Sequence, residues 1–240
     1  MIELKNKYSD LVNKIALKYV DRKGIVGVIW IGSATFGIED EFVDIDIRLL
    51  IDRDEKYNPM EQFEEDGIKI EVDEMSLGWL LSDTNFDSER DWIRTQAVIL
   101  FDPGNKLKTE FDKVNKIALL GKEKLLWNVY KEIFNQYDID KCLKRGQQMS
   151  GFMLINKTID ELTKFIFLVN DQPIPPLKWR WYFIEKLNLF EIAIIEKLIP
   201  NGLNSLKETL AVLAEIQTKC QKIMLDKGYF KDQVLEPWRF

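Results

Sequence analysis

The chain is expected to fold as an α/β (α+β) protein: a small mixed sheet with flanking helices, followed by an all-helical bundle. Three observations predict this. Short β-branched runs and period-two alternation crowd into the first part of the chain. From about residue 105 onward the apolar residues recur at helical spacing. One early run, Val43-Asp-Ile-Asp-Ile-Arg-Leu-Leu-Ile51, carries charged residues at alternate positions of an otherwise apolar strand. The domains are drawn at 1–120 and 121–240.

The elements follow in order. Residues 2–20 place Leu4, Tyr8, Leu11, Val12, Ile15 and Tyr19 at helical spacing, and Gly24 is a plausible cap. Residues 25–31 (IVGVIWI) read as a buried strand, and residues 32–37 (GSATFG) as a turn or short helix start. An acidic loop leads into the strand at 43–51. Residues 52–66 are polar and acidic, which suggests a loop or short helix. Ile68-Lys-Ile-Glu-Val-Asp73 alternates cleanly and reads as a third strand with a polar face. Residues 77–81 and 87–95 look helical. Residues 97–101 make a fourth strand, closed by the turn signal Asp102-Pro-Gly104. Helices are then expected around 107–114, around 125–133, along a long segment at 138–169, over 179–198 in one or two pieces, and at 203–220. The aromatic tail from Leu235 is expected to dock on the body.

Composition narrows the chemistry. With 46% hydrophobic and 31% charged residues the chain suits an ordinary folded protein. There is no histidine, so histidine triads, histidine metal sites and histidine acid–base work are excluded. The two cysteines, Cys142 and Cys220, lack metal-ligand spacing and read as buried thiols in a reducing compartment. The N-terminus does not read as a secretory signal, and no apolar stretch approaches a membrane span of roughly 20 residues. A cytoplasmic protein is the expectation. The net charge of −6 is uneven: residues 1–138 hold 19 Lys+Arg against 28 Asp+Glu, and residues 139–240 hold 15 against 12. Neither part has the basic footprint of a protein that grips long nucleic acid.

The strand at 43–51 is the most informative segment. Alternation sends Val43, Ile45 and Ile47 into a core and puts Asp44, Asp46 and Arg48 on the opposite face. Neighbouring carboxylates repel, and a cation between them relieves the repulsion. That suggests a divalent-metal site on a sheet. Arg48 shares the face and could instead be the structural counter-ion of the two aspartates. Gly32-Ser33, ten or so residues earlier and just after a buried strand, offers a backbone that can approach a phosphate and a hydroxyl that can donate to it. Glu71 lies on the polar face of the next alternating strand, with Asp73 as its rival for the place of third carboxylate.

Together, Gly32, Ser33, Asp44, Asp46 and Glu71 resemble the signature of the DNA polymerase β-like nucleotidyltransferase superfamily. That signature runs strand, Gly-Ser, a strand bearing Asp-x-Asp, then an acidic residue on an adjacent strand. The resemblance covers about residues 15–120. More loosely, the helical part resembles the C-terminal domain of small antibiotic-type nucleotidyltransferases. The resemblance implies transfer of a nucleotidyl group, AMP from ATP foremost, to a hydroxyl of a small molecule, with two Mg²⁺ ions about 4 Å apart aligning nucleophile and leaving group. By the same resemblance Asp44 and Asp46 bind both ions. Glu71 binds the one that activates the acceptor and is a candidate to take its proton, and Ser33 holds the β- and γ-phosphates. Glu71 is preferred to Asp73 because it sits nearer the middle of its strand.

A cation should meet the triphosphate. Lys157, Lys164 and Lys178 are candidates, Lys164 foremost because it sits in an apolar turn of helix; a snorkelling role is the alternative for each. Trp179, Trp181, Tyr182 and Phe183 could stack a ring but at this density suit core packing. The expected partners are a nucleoside triphosphate and a small hydroxyl-bearing acceptor, with no long nucleic acid and no membrane. Two alternatives stay open: a catalytically inactive nucleotide-binding or antitoxin-like module, and transfer to a protein or an RNA end.

Overall fold

The computed structural model describes residues 7–52, 57–82, 86, 88–134, 136–188, 190, 195–196, 198 and 206–229. The chain divides into two compact units, Met1–Leu120 and Gly121–Phe240. The first holds a five-stranded mixed sheet with helices on both faces, and the described elements of the second are all helical. No described helix is long and apolar enough to cross a membrane. The tail beyond Tyr229 lies outside the described residues.

In the first unit, α1 (Ser9–Leu17) precedes β1 (Ile25–Ile31), a short 3₁₀ turn (Ser33–Phe36) and β2 (Asp44–Ile51). Next come β3 (Tyr57–Glu65), β4 (Ile68–Ser76), α2 (Leu77–Leu81), α3 (Glu89–Gln96) and β5 (Val98–Phe101). The strand order is β3-β4-β2-β1-β5. Among the described strands only β2 and β4 are parallel; the other neighbours run antiparallel.

Alternation sorts the sheet into two faces. On one, Ile45, Ile47 and Leu49 of β2 and Ile70 and Val72 of β4 are buried with Val28 and Trp30 beneath α1. Val12 and Ile15 of α1 are fully buried there, each contributing about 1.5–3 kcal/mol by burial. On the other face Ile29, Leu50 and Met75 pack against Leu80 of α2, Ile93 of α3 and Leu107, at the start of the helix that follows β5. That apolar cover lies toward the C-terminal end of β2. Toward its N-terminal end the same face carries Asp44, Asp46 and Arg48.

β3 departs from the expected loop or short helix at 52–66. It is an edge strand, joined to β4 by a two-residue turn at Asp66 and Gly67, whose φ values are both positive (56° and 75°). This is the Asp-Gly hairpin signal. An edge position tolerates the proline and the acidic side chains that disguise the segment.

Beyond the sheet, α4 (Lys106–Glu132) is continuous where two helices were expected. α5 (Gln136–Lys144) and α6 (Gln148–Val169) divide what reads as one long segment. Gly146, at φ 72°, makes that break, because glycine enters the left-handed region without steric cost. α7 (Leu177–Leu187) and α8 (Leu206–Asp226) complete the described helices. In the second unit Cys220 is fully buried on α8, and burial pushes its thiol pKa up. Cys142 on α5 is partly exposed and also a free thiol.

Candidate active site

The acidic face is assembled by the parallel ladder between β2 and β4. Its register sets Asp44 opposite Lys69, Asp46 opposite Glu71 and Arg48 opposite Asp73. Directly paired residues share a face. On the other side of β2, Ile31 lies opposite Asp46 and Ile29 opposite Arg48. Asp46 and Glu71 are therefore immediate neighbours, and Asp44 stands two residues nearer the start of β2. Asp44 forms no ion pair among the described residues.

Arg48 stands at the centre of this face with a side chain 10% exposed. Its Nη1 lies 2.8 Å from the Oδ2 of Asp73, which is buried. Its Nη2 donates to Glu71 Oε1 at 2.9 Å and reaches Asp46 Oδ1 at 3.4 Å. Gln62 of β3 donates to the other Glu71 oxygen at 3.1 Å. So Arg48 is a counter-ion to the face, as its position in the strand allows. The interior end of the polar stripe belongs to Asp73, and β4 runs on past it to Ser76, so Asp73 is not near the strand end.

The turn at Gly32-Ser33 comes directly over Asp46. Gly32 has φ 95°, and a Cβ built there would lie 2.5 Å from Asp46 Oδ2. No side chain can stand between this backbone and that carboxylate. Thr35 holds the turn closed, its hydroxyl donating to the Gly32 carbonyl at 2.7 Å. Ser33 is buried at the start of the 3₁₀ turn. The structure thus brings together Gly32, Ser33, Asp46 and Glu71, with Asp44 on the same face at the start of β2.

Lys164 lies in α6 of the second unit and is engaged there. Its amine is 2.9 Å from both Asp160 and Glu161. Burial opposes its charge, but the two carboxylates outweigh burial and hold the pKa above the ordinary lysine value. Asp160 also pairs with Arg180 of α7. Lys157 pairs with Glu132 at 2.5 Å, and Lys178 stands over the ring of Trp179. A lysine whose folded pKa is raised contributes stability that is complete below pH 10.5 and fades as pH rises through the folded value. Lys164→Met is therefore expected to lose stability near neutrality and to show a flatter decline than the native chain above pH 10.5. Urea unfolding across that range checks it, and parallel declines would contradict it.

Gln62 is the site residue the sequence does not single out, and Asp73, weighed there only as the rival of Glu71 for third carboxylate, is the buried partner of Arg48. The hairpin signal at Asp66-Gly67 could have revealed Gln62 by making β3 a strand. Asp73 is distinguished from Glu71 only by the register.

Magnesium prefers hard oxygen donors and keeps several waters. Four carboxylates against Arg48 and Lys69 still leave this face with surplus negative charge, so the donor set suits the ion in kind. Its pose is closed, however. Among the described residues no three acidic side chains converge in a metal-holding group, and both oxygens of Glu71 are taken up by Arg48 and Gln62.

No family model matches the chain, and no curated protein matches it. Among solved structures it is similar to a nucleotidyltransferase-like protein from Exiguobacterium sibiricum 255-15, with a TM-score of 0.52 and 10% identity. The match covers 91% of this chain and 76% of that one. At that identity the likeness shows a nucleotidyltransferase-like fold, in which a mixed sheet is followed by helices.

Proposed function

We propose that the chain is a nucleotidyltransferase that moves a nucleotidyl group, AMP from ATP foremost, to a hydroxyl of a small acceptor. The observation that supports this best is the pairing of Asp46 with Glu71 across a parallel ladder, beneath a glycine turn with no room for a side chain against Asp46. The fold likeness points the same way.

Asp44 and Asp46 on β2 and Glu71 on β4 would hold Mg²⁺, which supplies Lewis-acid stabilisation of the charge that develops on the phosphoryl and pyrophosphate oxygens. The Gly32-Ser33 turn brings backbone and hydroxyl donors to the phosphates. The acceptor oxygen forms a bond to the α-phosphorus as the bond to the bridging oxygen breaks. Pyrophosphate leaves with that electron pair, and the acceptor's proton passes to a base. The acidic composition of the sheet unit favours a compact acceptor over a long polyanion.

Radiolabel transfer from α-labelled ATP to a panel of hydroxyl-rich small molecules tests this, with Mg²⁺ present or chelated. Product and pyrophosphate that both vanish on chelation are the expected result. Label on a partner protein or an RNA end would reassign the acceptor.

One observation favours a second reading. Arg48 already compensates Asp46 and Glu71, as it would in a nucleotide-binding module without catalysis. Calorimetric binding of ATP with no pyrophosphate released under any acceptor would select that reading.

A further inference from the structure

We propose that Arg48 is a positioning residue that competes with a divalent cation for Asp46 and Glu71, so that a cation binds only as Nη2 lets Glu71 go. This rests on the reading of those carboxylates as a cation site and concerns how that site is regulated.

The geometry divides the guanidinium into an anchor and a clasp. Nη1 faces Asp73, its direct partner in the ladder, at 2.8 Å in a buried setting. Nη2 spans the pair that the ladder sets side by side, 2.9 Å from Glu71 and 3.4 Å from Asp46. The approach to Asp46 exceeds the usual 2.7–3.2 Å of an N–H···O bond, so the clasp is asymmetric. Opposed carboxylates on adjacent strands repel. In the pose seen, one positive nitrogen relieves that repulsion by lying between them. A divalent ion in the same place would be repelled by the guanidinium, so the two cations exclude each other. Movement confined to the end of the Arg48 side chain can open the clasp while Asp73 keeps the anchor. Gln62, which donates to the second Glu71 oxygen, has to yield as well if that carboxylate is to turn.

A purely structural arginine and a competing one predict opposite results. If Arg48 only braces the sheet, removing it disorders the carboxylates and weakens cation binding. If it competes, removing it strengthens binding. Mn²⁺ affinity of the full chain, read by electron paramagnetic resonance of the free ion, compares the native protein with Arg48→Gln. The expected result is binding at least about tenfold tighter in the variant, since the repulsion between a unit charge and a divalent ion a few ångströms apart exceeds that factor even at the dielectric of water. Equal or weaker binding by a folded Arg48→Gln chain overturns this proposal and leaves the metal reading standing. Absence of Mn²⁺ binding by both chains overturns the metal reading, and this proposal with it. Should Arg48→Gln fail to fold, the native chain decides alone: Mg²⁺ should shift the Arg48 Nε–H resonance and quicken its exchange. A resonance that stays fixed while calorimetry records Mg²⁺ binding overturns the proposal.

Discussion

Asp46→Asn is expected to lower the rate of nucleotidyl transfer about a thousandfold while the protein keeps its fold. The side chain is only partly buried and shares its face with like charges, so the sheet does not depend on it. The buried contribution of this strand comes from Ile45, Ile47 and Leu49, on the opposite face and untouched by the change. Amide for carboxylate removes one hard anionic donor from a set proposed to hold magnesium. Several kcal/mol of charge stabilisation go with it, and about 4 kcal/mol corresponds to a thousandfold in rate. The attraction to Arg48 that the amide weakens acts across a long 3.4 Å in the native chain, so the melting temperature should stay level or rise as like-charge crowding eases. Initial rates of pyrophosphate release and a thermal melt on the same preparation check both halves. A variant within tenfold of native turnover would remove Asp46 from the site. Gly32→Ala should reach a similar loss by another route, because the new methyl would press on Asp46 Oδ2 from 2.5 Å in a φ region hostile to side chains.

How much of this was written in the sequence varies with how local the signal is. The strand at β2 announces itself, since apolar and charged residues alternate through Val43 to Arg48 and a slip of one would bury two aspartates. The alternation of β4 is equally local. What links the two is not local. The parallel register that sets Asp46 beside Glu71 is fixed only once β3 has carried the chain out and back. The sequence could place Glu71 and Asp73 on one face but had no means to say which meets an aspartate and which meets the arginine. β3 hid because an edge strand needs little apolar surface, and the one strong clue was the Asp66-Gly67 turn. The helical half shows the converse weakness. Periodicity finds helices but not their breaks, so the joint at Gly146 and the unbroken run of α4 both escaped it. Arg48 is the sharpest case. Its face was readable, but the choice between shielding carboxylates and standing clear of them lies in side-chain torsions that no sequence pattern encodes.

Asp73→Ala should destabilise the chain by about 3 kcal/mol, whereas Glu71→Ala should cost under about 1 kcal/mol. Both residues pair with the same guanidinium, so a count of ion pairs would rank them equally. Burial separates them. The Asp73 side chain is 2% exposed and that of Arg48 10%, while Glu71 is 22% exposed. Breaking a buried pair by deleting one partner typically costs about 3–5 kcal/mol, since the other charge is left without compensation. The remaining bond from Arg48 to Glu71 keeps the Asp73 loss at the lower end of that range. Pairs that water can reach contribute about 0–1 kcal/mol, and removing Glu71 also relieves its crowding against Asp46. Denaturant unfolding of the two variants measures the difference directly. Equal losses would mean that Arg48 is held by both acids alike, and the division into a fixed anchor and a releasable clasp would fall. A large gap would establish the anchor independently of any metal, because it is read in the cation-free protein.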